Sequence, residues 1–336
     1  MTAGNRRVNA ADVARMAQVS ASAVSRTFTP GASVAPETRL RVINAAAALG
    51  YQPRAQDALP GQGRRVAVIM ANLPSPFFAE LTNRLHSELE GRDVQALFLI
   101  APDPSRIDAL VRDALAQQVS GLIIFSAAPS PETMAIAWAA GAPVVILGRQ
   151  ERVEGASLVW IDAPEAGRAV ARLMLAEGRR RPLAVATNPV RSRELKAFAE
   201  TMEAGGSEPC RWIDTAWRYE DGLRAADAAF GQGVRPDAIF TASDSVAIAL
   251  VDSARGLHGL DIPKDLSIVG FGDTDTAGWI SHRITTVRLP IVSMIQTAIS
   301  TLMSRIASAE APAPRIWLGC DIVQRGTTIG AKALVD

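Results

Sequence analysis

Residues 9 to 28 leave this chain little freedom. The run Asn-Ala-Ala-Asp-Val-Ala-Arg-Met-Ala-Gln-Val-Ser-Ala-Ser-Ala-Val-Ser-Arg-Thr-Phe places two short helical patterns in twenty residues, with Gln18-Val19 as the turn. Two helices joined so tightly form a helix-turn-helix, a unit that sets its second helix into the major groove of DNA. The first helix has a start signal in Asn9, with Asp12 three residues on, where its carboxylate can face back toward free backbone N–H groups. Val13, Ala14 and Ala17 recur at helical spacing as one apolar stripe, and the two alanines allow close approach by another helix. Ser20 is placed to cap the second helix, and Val24 and Phe28 to bury on its inner face. Ala21, Ser22, Ser25 and Arg26 are left on or near its outer face. A third helix is expected to start at Pro36, with Glu37 in its first turn, Leu40, Ile43 and Ala47 as inner stripe, and Gly50 ending it.

Charge supports a nucleic-acid role for this head. Residues 1–65 carry nine arginines against Asp12, Glu37 and Asp57, a net of +6; the whole chain is +1, which leaves the remainder at −5. A basic head on an acidic body is what phosphate contact requires. Arg26 can make a bidentate contact to a guanine, or hold a phosphate without reading sequence. Ser22 can bond a base or a phosphate, Ala21 offers apolar contact only, and Ser20 and Ser25 suit phosphates.

The body has a different texture. A segment from Tyr51 to Arg65 with Pro53, Pro60, Gly61 and Gly63 marks a boundary. Beyond it, apolar β-type runs at Val66–Ala71, Val94–Ile100, Gly121–Phe125, Val144–Leu147 and Leu158–Ile161 alternate with helical patterns. One helix is expected over residues 105–117, capped by Ser105, with Ile107, Leu110, Val111 and Ala114 on one face. The alternation resumes with Leu183–Ala186, Ile239–Ala242 and Leu266–Val269. Strand runs that are apolar throughout, separated by amphipathic helices, mean parallel sheets covered on both faces, and the two sets mean two similar α/β subdomains. With 336 residues and 48% hydrophobic content, the chain can build more than one core. No run of eighteen apolar residues occurs, and the N-terminus enters the basic head without an apolar signal region, so a cytoplasmic protein without a membrane span is expected. Cys210 and Cys320 are far apart and read as ordinary thiols; with three scattered histidines there is no metal spacing, and no metal or cofactor is expected.

The head resembles the DNA-binding domain of the lac repressor family of bacterial transcription regulators, and the resemblance covers nearly the whole chain. Asp12-Val13-Ala14, Ala17, Val19-Ser20, Val24-Ser25-Arg26, Pro36-Glu37-Thr38, Leu49-Gly50-Tyr51 and Pro53 fall at the family's spacing. So do Asn72 through Phe78, Val269-Gly270-Phe271 and Thr285-Thr286-Val287. The resemblance implies a small all-α head and an α/β body of two doubly wound parallel-sheet subdomains like a periplasmic binding protein, with a ligand in the cleft between lobes. It implies a DNA-binding domain over 1–50, a hinge over 51–65, and a ligand-binding and dimerisation domain over 66–336. Within the body, one subdomain takes about 66–162 plus 290–320 and the other about 163–289 plus 321–336. In this family the hinge forms a short helix on operator DNA and wedges a leucine into the minor groove, a role that falls to Leu59; an inert tether is the other reading, since Arg54 replaces the family's asparagine and Pro60 follows Leu59 directly.

Ligands of parallel sheets sit beyond the strands' carboxyl ends. That rule selects Asn72, Phe77 and Phe78, then Asp103, Ser126, Arg149 and Asp162, and in the second set Arg191 or Arg193, Trp217, Asp244 and Asp273. Trp217 lies five residues before Gly222, the family's spacing for an aromatic against the ligand, and an indole suits a pyranose face. Asp244 and Asp273 can accept from sugar hydroxyls, although Asp244 also suits a helix cap, and the arginines can clamp an anionic group. The sequence Gly270-Phe271-Gly272-Asp273 is similar to that of gluconate-type members, which points to a sugar or sugar acid; a purine-type corepressor is the alternative. The expected partners are double-stranded operator DNA, a small-molecule effector and a second copy in a homodimer. An enzyme is the competing class, but no glycine-rich phosphate loop and no Gly-x-Ser-x-Gly occurs. A transport-type solute-binding protein would not carry the basic head.

Overall fold

The computed structural model describes residues 9–27, 33–49, 64–71, 76–101, 103–186, 192–231, 235–308 and 313–330. The head consists of α1 (Ala10–Ala17), α2 (Ala21–Thr27) and α3 (Pro36–Leu49). Asn9 accepts from the backbone N–H of Ala11 and Asp12, and Asp12 returns a bond to Asn9 N–H, a complete capping box. Gln18 ends α1 in the left-handed region at φ 54°. Val13, Ala14, Ala17, Val24, Val42, Ala45 and Ala46 form the head's core, with Leu49 against it. Arg39 ties α3 to the end of α2 by donating to the Thr27 carbonyl at 2.9 Å. The inner stripe of α3 is not the expected one. Leu40 is 56% exposed, and Val42, Ala45, Ala46 and Leu49 face α1 and α2 instead. Ile43 is buried as expected, but packs outside that cluster. The i, i+3, i+4 rule selects several overlapping stripes in an alanine-rich helix, and packing chose the one beginning at Val42. Phe28, Gly50 and the side chain of Ala47 lie outside the described residues.

The body holds two six-stranded sheets. The first is built from β1 (Arg64–Ala71), β2 (Val94–Ala101), β3 (Gly121–Phe125), β4 (Val144–Leu147), β5 (Ser157–Ile161) and β11 (Arg315–Leu318), in the order β11-β5-β4-β3-β1-β2. The second is built from β6 (Pro182–Ala186), β7 (Arg211–Asp214), β8 (Ala238–Thr241), β9 (Ser267–Gly272), β10 (Thr285–Arg288) and β12 (Asp321–Val323), in the order β12-β10-β9-β8-β6-β7. Within each set the first five strands follow one order, second-first-third-fourth-fifth, and pair in parallel; β12 joins β10 antiparallel. The repeated order is the doubly wound topology, with its switch point between the first and third strand of each set.

Helices cover both faces of the second sheet. Leu183, Val185, Ile239 and Ile268 point to one side, against α9 (Tyr219–Phe230) and α10 (Asp244–Gly256). Ala184, Ala186, Phe240 and Val269 point to the other, against α7 (Ala163–Ala176) and α8 (Arg193–Ala204). That is why these strands read as unbroken apolar runs. In the first sheet, Ala67, Ile69, Leu122, Ile124, Val144 and Ile146 pack with Ile107, Val111 and Ala114 of α5 (Ile107–Ala116) and with Met134 and Ala137 of α6 (Pro131–Ala139). α4 (Pro76–Glu90) follows β1, and α11 (Ile291–Ala307) brings Leu302 against Gly121. Trp138 of α6 also packs against the head's core.

One helix cap differs from expectation, and two edge strands were not foreseen. Ser105 does not cap α5; it sits in a 3-10 turn, and its hydroxyl and N–H donate to Asp103. The edge strands β7 and β11 were not among the apolar runs. Arg211-Trp212-Ile213-Asp214 and Arg315-Ile316-Trp317-Leu318 are half-exposed, and an edge strand needs no unbroken apolar run.

The chain forms two compact units. One comprises Met1–Asn72, Arg84–Trp160 and Val292–Ile316; the other comprises Leu73–Asn83, Ile161–Ile291 and Trp317–Asp336. No described helix is long and apolar enough to cross a membrane.

Candidate functional site

The head presents one continuous polar face. Ser20 Oγ accepts from Ala23 N–H at 3.1 Å, which caps α2, and it bonds Ser22 Oγ at 2.9 Å. Arg26, one turn further, donates from Nη2 to Ser22 Oγ at 3.3 Å and from Nε to the Ser22 carbonyl at 3.4 Å. Ser20, Ala21, Ser22, Ser25 and Arg26 are all exposed. Val24 is fully buried beneath them, and Thr27 is held inward by donating to the Ala23 carbonyl at 2.8 Å. The α2 helix is therefore anchored by two residues and exposed on the opposite side. Its Ser22 and Arg26 are spaced to reach into a groove together. Leu59 lies outside the described residues.

In the first unit, Ser126 follows β3 with φ 57° and is exposed. Gly148, which follows β4, leaves room for its hydroxyl: a Cβ there would stand 3.2 Å from Ser126 Oγ. Arg149 pairs with Glu151 at 3.3 Å. Phe77 and Phe78, which open α4, belong to the second unit; their rings are edge to face with centroids 5.3 Å apart. Asn72 and Arg191 lie outside the described residues.

In the second unit the strand-end residues divide into two kinds. Trp217 is half-buried beside the Phe198–Phe240 cluster, and Arg193 is exposed in the first turn of α8. The two acids are not free. Asp244 was expected to accept from a ligand, with a helix cap as the alternative; it does not cap α10. It is 2% exposed and takes bonds from Thr286 Oγ1 at 2.6 Å, Thr274 N–H at 2.7 Å and Thr274 Oγ1 at 3.0 Å. Its neighbour Ser243 occupies the cap position of α10. Burial pushes the Asp244 carboxyl above the usual range, against the bonds from Thr286 and Thr274. Asp273 stands at φ 57° with its side chain 8% exposed, and each oxygen is held by an arginine: Arg325 Nη2 at 2.6 Å and Arg288 Nε at 2.5 Å. Asp273 therefore orients two cations, one on each of its oxygens.

Arg288 was missed in the sequence, yet the strand-end rule that selected the others applies to it. It ends β10, pairs in register with Gly272 and Asp321, and its side chain is 54% exposed. Arg325 follows β12 and is largely buried, donating also to the Ile284 carbonyl. Two guanidiniums share the Asp273 carboxylate at this strand end, and Asp321 stands opposite Arg288 in register.

Chemistry of other kinds has little foothold. Among the described residues no three His, Cys, Asp or Glu are grouped to hold a metal. Burial pushes the Cys210 and Cys320 thiols up to about 12, so neither is a thiolate near neutrality.

A three-helix head with an exposed recognition face, joined to paired parallel sheets, defines a DNA-binding head on a periplasmic-binding-protein-like body. Residues 10–54 match the model for bacterial regulatory proteins of the lacI family, and residues 171–328 match the periplasmic binding protein-like domain. The head is thus of the lacI family of bacterial regulatory proteins, and the relatives the whole chain matches include transcriptional regulators. It is 29% identical to the HTH-type transcriptional regulator MalR of Streptomyces coelicolor, over 96% of each chain. It is similar in structure to a transcriptional regulator CelR–cellobiose complex, with TM-score 0.67 and 24% identity over 96% of this chain and 100% of that one. It is similar also to the lac repressor dimer bound to operator and the anti-inducer ONPF, with TM-score 0.70 and 22% identity over 96% of this chain and 99% of that one.

Proposed function

We propose that this chain is a sequence-specific DNA-binding transcriptional repressor whose operator affinity is switched by a small polar effector held by its body. The exposed Ser22–Arg26 face on α2, in an N-terminal stretch 1–65 of net charge +6, carries the reading. A reader this small contacts few bases, so specificity comes from two heads on a pseudo-palindromic site, and a homodimer supplies them. The lac repressor structure similar to this chain is a dimer on operator. Residues 1–50 are the DNA-binding domain, 51–65 the hinge with Leu59 as candidate wedge, and 66–336 the effector-binding and dimerisation domain. The body's subdomains take about 66–162 plus 290–320 and about 163–289 plus 321–336. The protein is not an enzyme, and its place is the cytoplasm, where its DNA is.

The effector is a sugar or, better, a sugar acid. A similar structure holds cellobiose, but the exposed Arg288 beside Arg325 offers a cation that a neutral sugar would not use. Trp217 supplies an apolar platform, and Ser126, Arg149 and Arg193 supply further polar contacts. The test is gel-shift titration of DNA from the gene's own neighbourhood at increasing salt, with and without gluconate. Selective, salt-sensitive binding that gluconate weakens is expected. Binding with no preference over unrelated DNA would overturn the repressor reading. Binding strengthened by the ligand would make it a corepressor.

A further inference from the structure

A second site lies at the opposite end of the first sheet from Ser126 and Arg149. There the amino ends of β4 and β5 meet α6 and the last turn of α11, around a pocket walled by Met134, Trp138, Pro143, Gly155 and Arg305. Arg305 is half-buried, and its only bonds are long ones from Nη1, to the Val144 carbonyl at 3.3 Å and Ser157 Oγ at 3.4 Å. Its Nε and Nη2 have no acceptor among the described residues, and no described acid lies within ion-pair distance. Burial pulls its pKa below the usual arginine range. Among the described residues the rest of this fork of donors has no acceptor. The other walls are an indole, a thioether and a proline ring, and Gly155, at φ 77° with no atom near its missing Cβ, keeps one wall open.

We propose that this pocket binds a small organic anion with an apolar body, of the aromatic monocarboxylate class. The carboxylate pairs with Arg305 and the ring lies against Trp138 and Met134. Trp138 is shared: it walls the pocket and packs against the head's core. An anion that moves Trp138 therefore acts on the seat of the head, and by linkage the head's position changes affinity for the anion.

The test uses fluorotryptophan-labelled full-length protein and fluorine NMR, with the Trp138 resonance assigned by Trp138→Phe. Titration with benzoate is expected to move that resonance to saturation. Benzyl alcohol, with the same ring and no charge, is expected to bind at least about tenfold more weakly, as is benzoate to Arg305→Gln. Equal affinity for the two probes overturns the proposal. So does a benzoate shift confined to Trp217, or no saturable shift at Trp138. The two-probe comparison on the wild-type chain decides the matter even if Arg305→Gln fails to fold. It is also independent of the operator reading, because no DNA is present.

Discussion

The Thr286 hydroxyl donates to Asp244 Oδ1 at 2.6 Å, and the acid it reaches is 2% exposed. Together with the bonds from Thr274, this ties the start of α10 to β10 and to the turn after β9. Gly270, in β9, is the counterpart of that arrangement: a Cβ there would collide with the Asp244 carboxyl.

Asp244 should therefore act on stability. Its pKa is raised in the folded state, chiefly by burial. Such a group contributes most below the ordinary carboxylate range, and the contribution is lost as pH rises through the raised value. Asp244→Asn removes this titration but cannot accept from all three donors. It should lose about 1–3 kcal/mol at neutral pH, with a flatter pH dependence above about pH 4. Urea unfolding across a pH series measures both; wild-type stability at neutral pH would show that the Thr274 and Thr286 bonds are dispensable.

Gly167 shows how tightly α7 and α8 pack. A Cβ at this position would run into the Glu194 carbonyl, which is backbone and cannot swing aside. Gly167→Ala should destabilise the fold by about 1–3 kcal/mol or more through overpacking, despite the gain in helix propensity. Thermal unfolding reads it, and a stabilised variant would mean the two helices can part at little cost.

Arg26 is exposed, so its removal should leave the head folded. Arg26→Ala is expected to cost about 1–3 kcal/mol of operator binding and to relax preference at one base pair in each half-site. Binding titrations on single-base operator variants test this. An equal loss on every sequence would assign Arg26 to a phosphate.

The sequence was most legible where one constraint acts alone. Asn9, Asp12 and Gln18-Val19 set the first helix because capping chemistry is local. Central strands such as Gly121–Phe125 and Val144–Leu147 stood out because both faces are buried. Leu40 was misread because alanines make the stripes of α3 nearly equivalent, and only the packing partner decides among them. The strand ends were legible as positions but not as roles. Nothing local reveals that Asp273 is consumed by Arg325, fifty-two residues on, or that Asp244 is enclosed by Thr274 and Thr286. Long-range partners hold two candidate acceptors in place and leave Arg288 as an exposed group at the same strand end.

That substitution of roles makes the effector reading testable at two residues. Arg288 is 54% exposed, so its ion pair with Asp273 contributes little to stability, and Arg325 keeps Asp273 paired when Arg288 is removed. Arg288→Gln should therefore fold normally. If the effector carries a carboxylate, this variant should bind gluconate roughly tenfold more weakly and leave any weak affinity for glucose unchanged. Trp217→Ala should lose response to both ligands while retaining operator binding, since the indole serves the pyranose face or carbon chain and not the charge. Because Trp217 also packs against the core cluster that holds Phe198 and Phe240, thermal unfolding must show the variant folded before its response is read. Isothermal titration with gluconate and glucose separates the two roles. An unchanged gluconate affinity in Arg288→Gln would remove the anionic effector, and an unchanged response in Trp217→Ala would move the ligand away from the second sheet's strand ends.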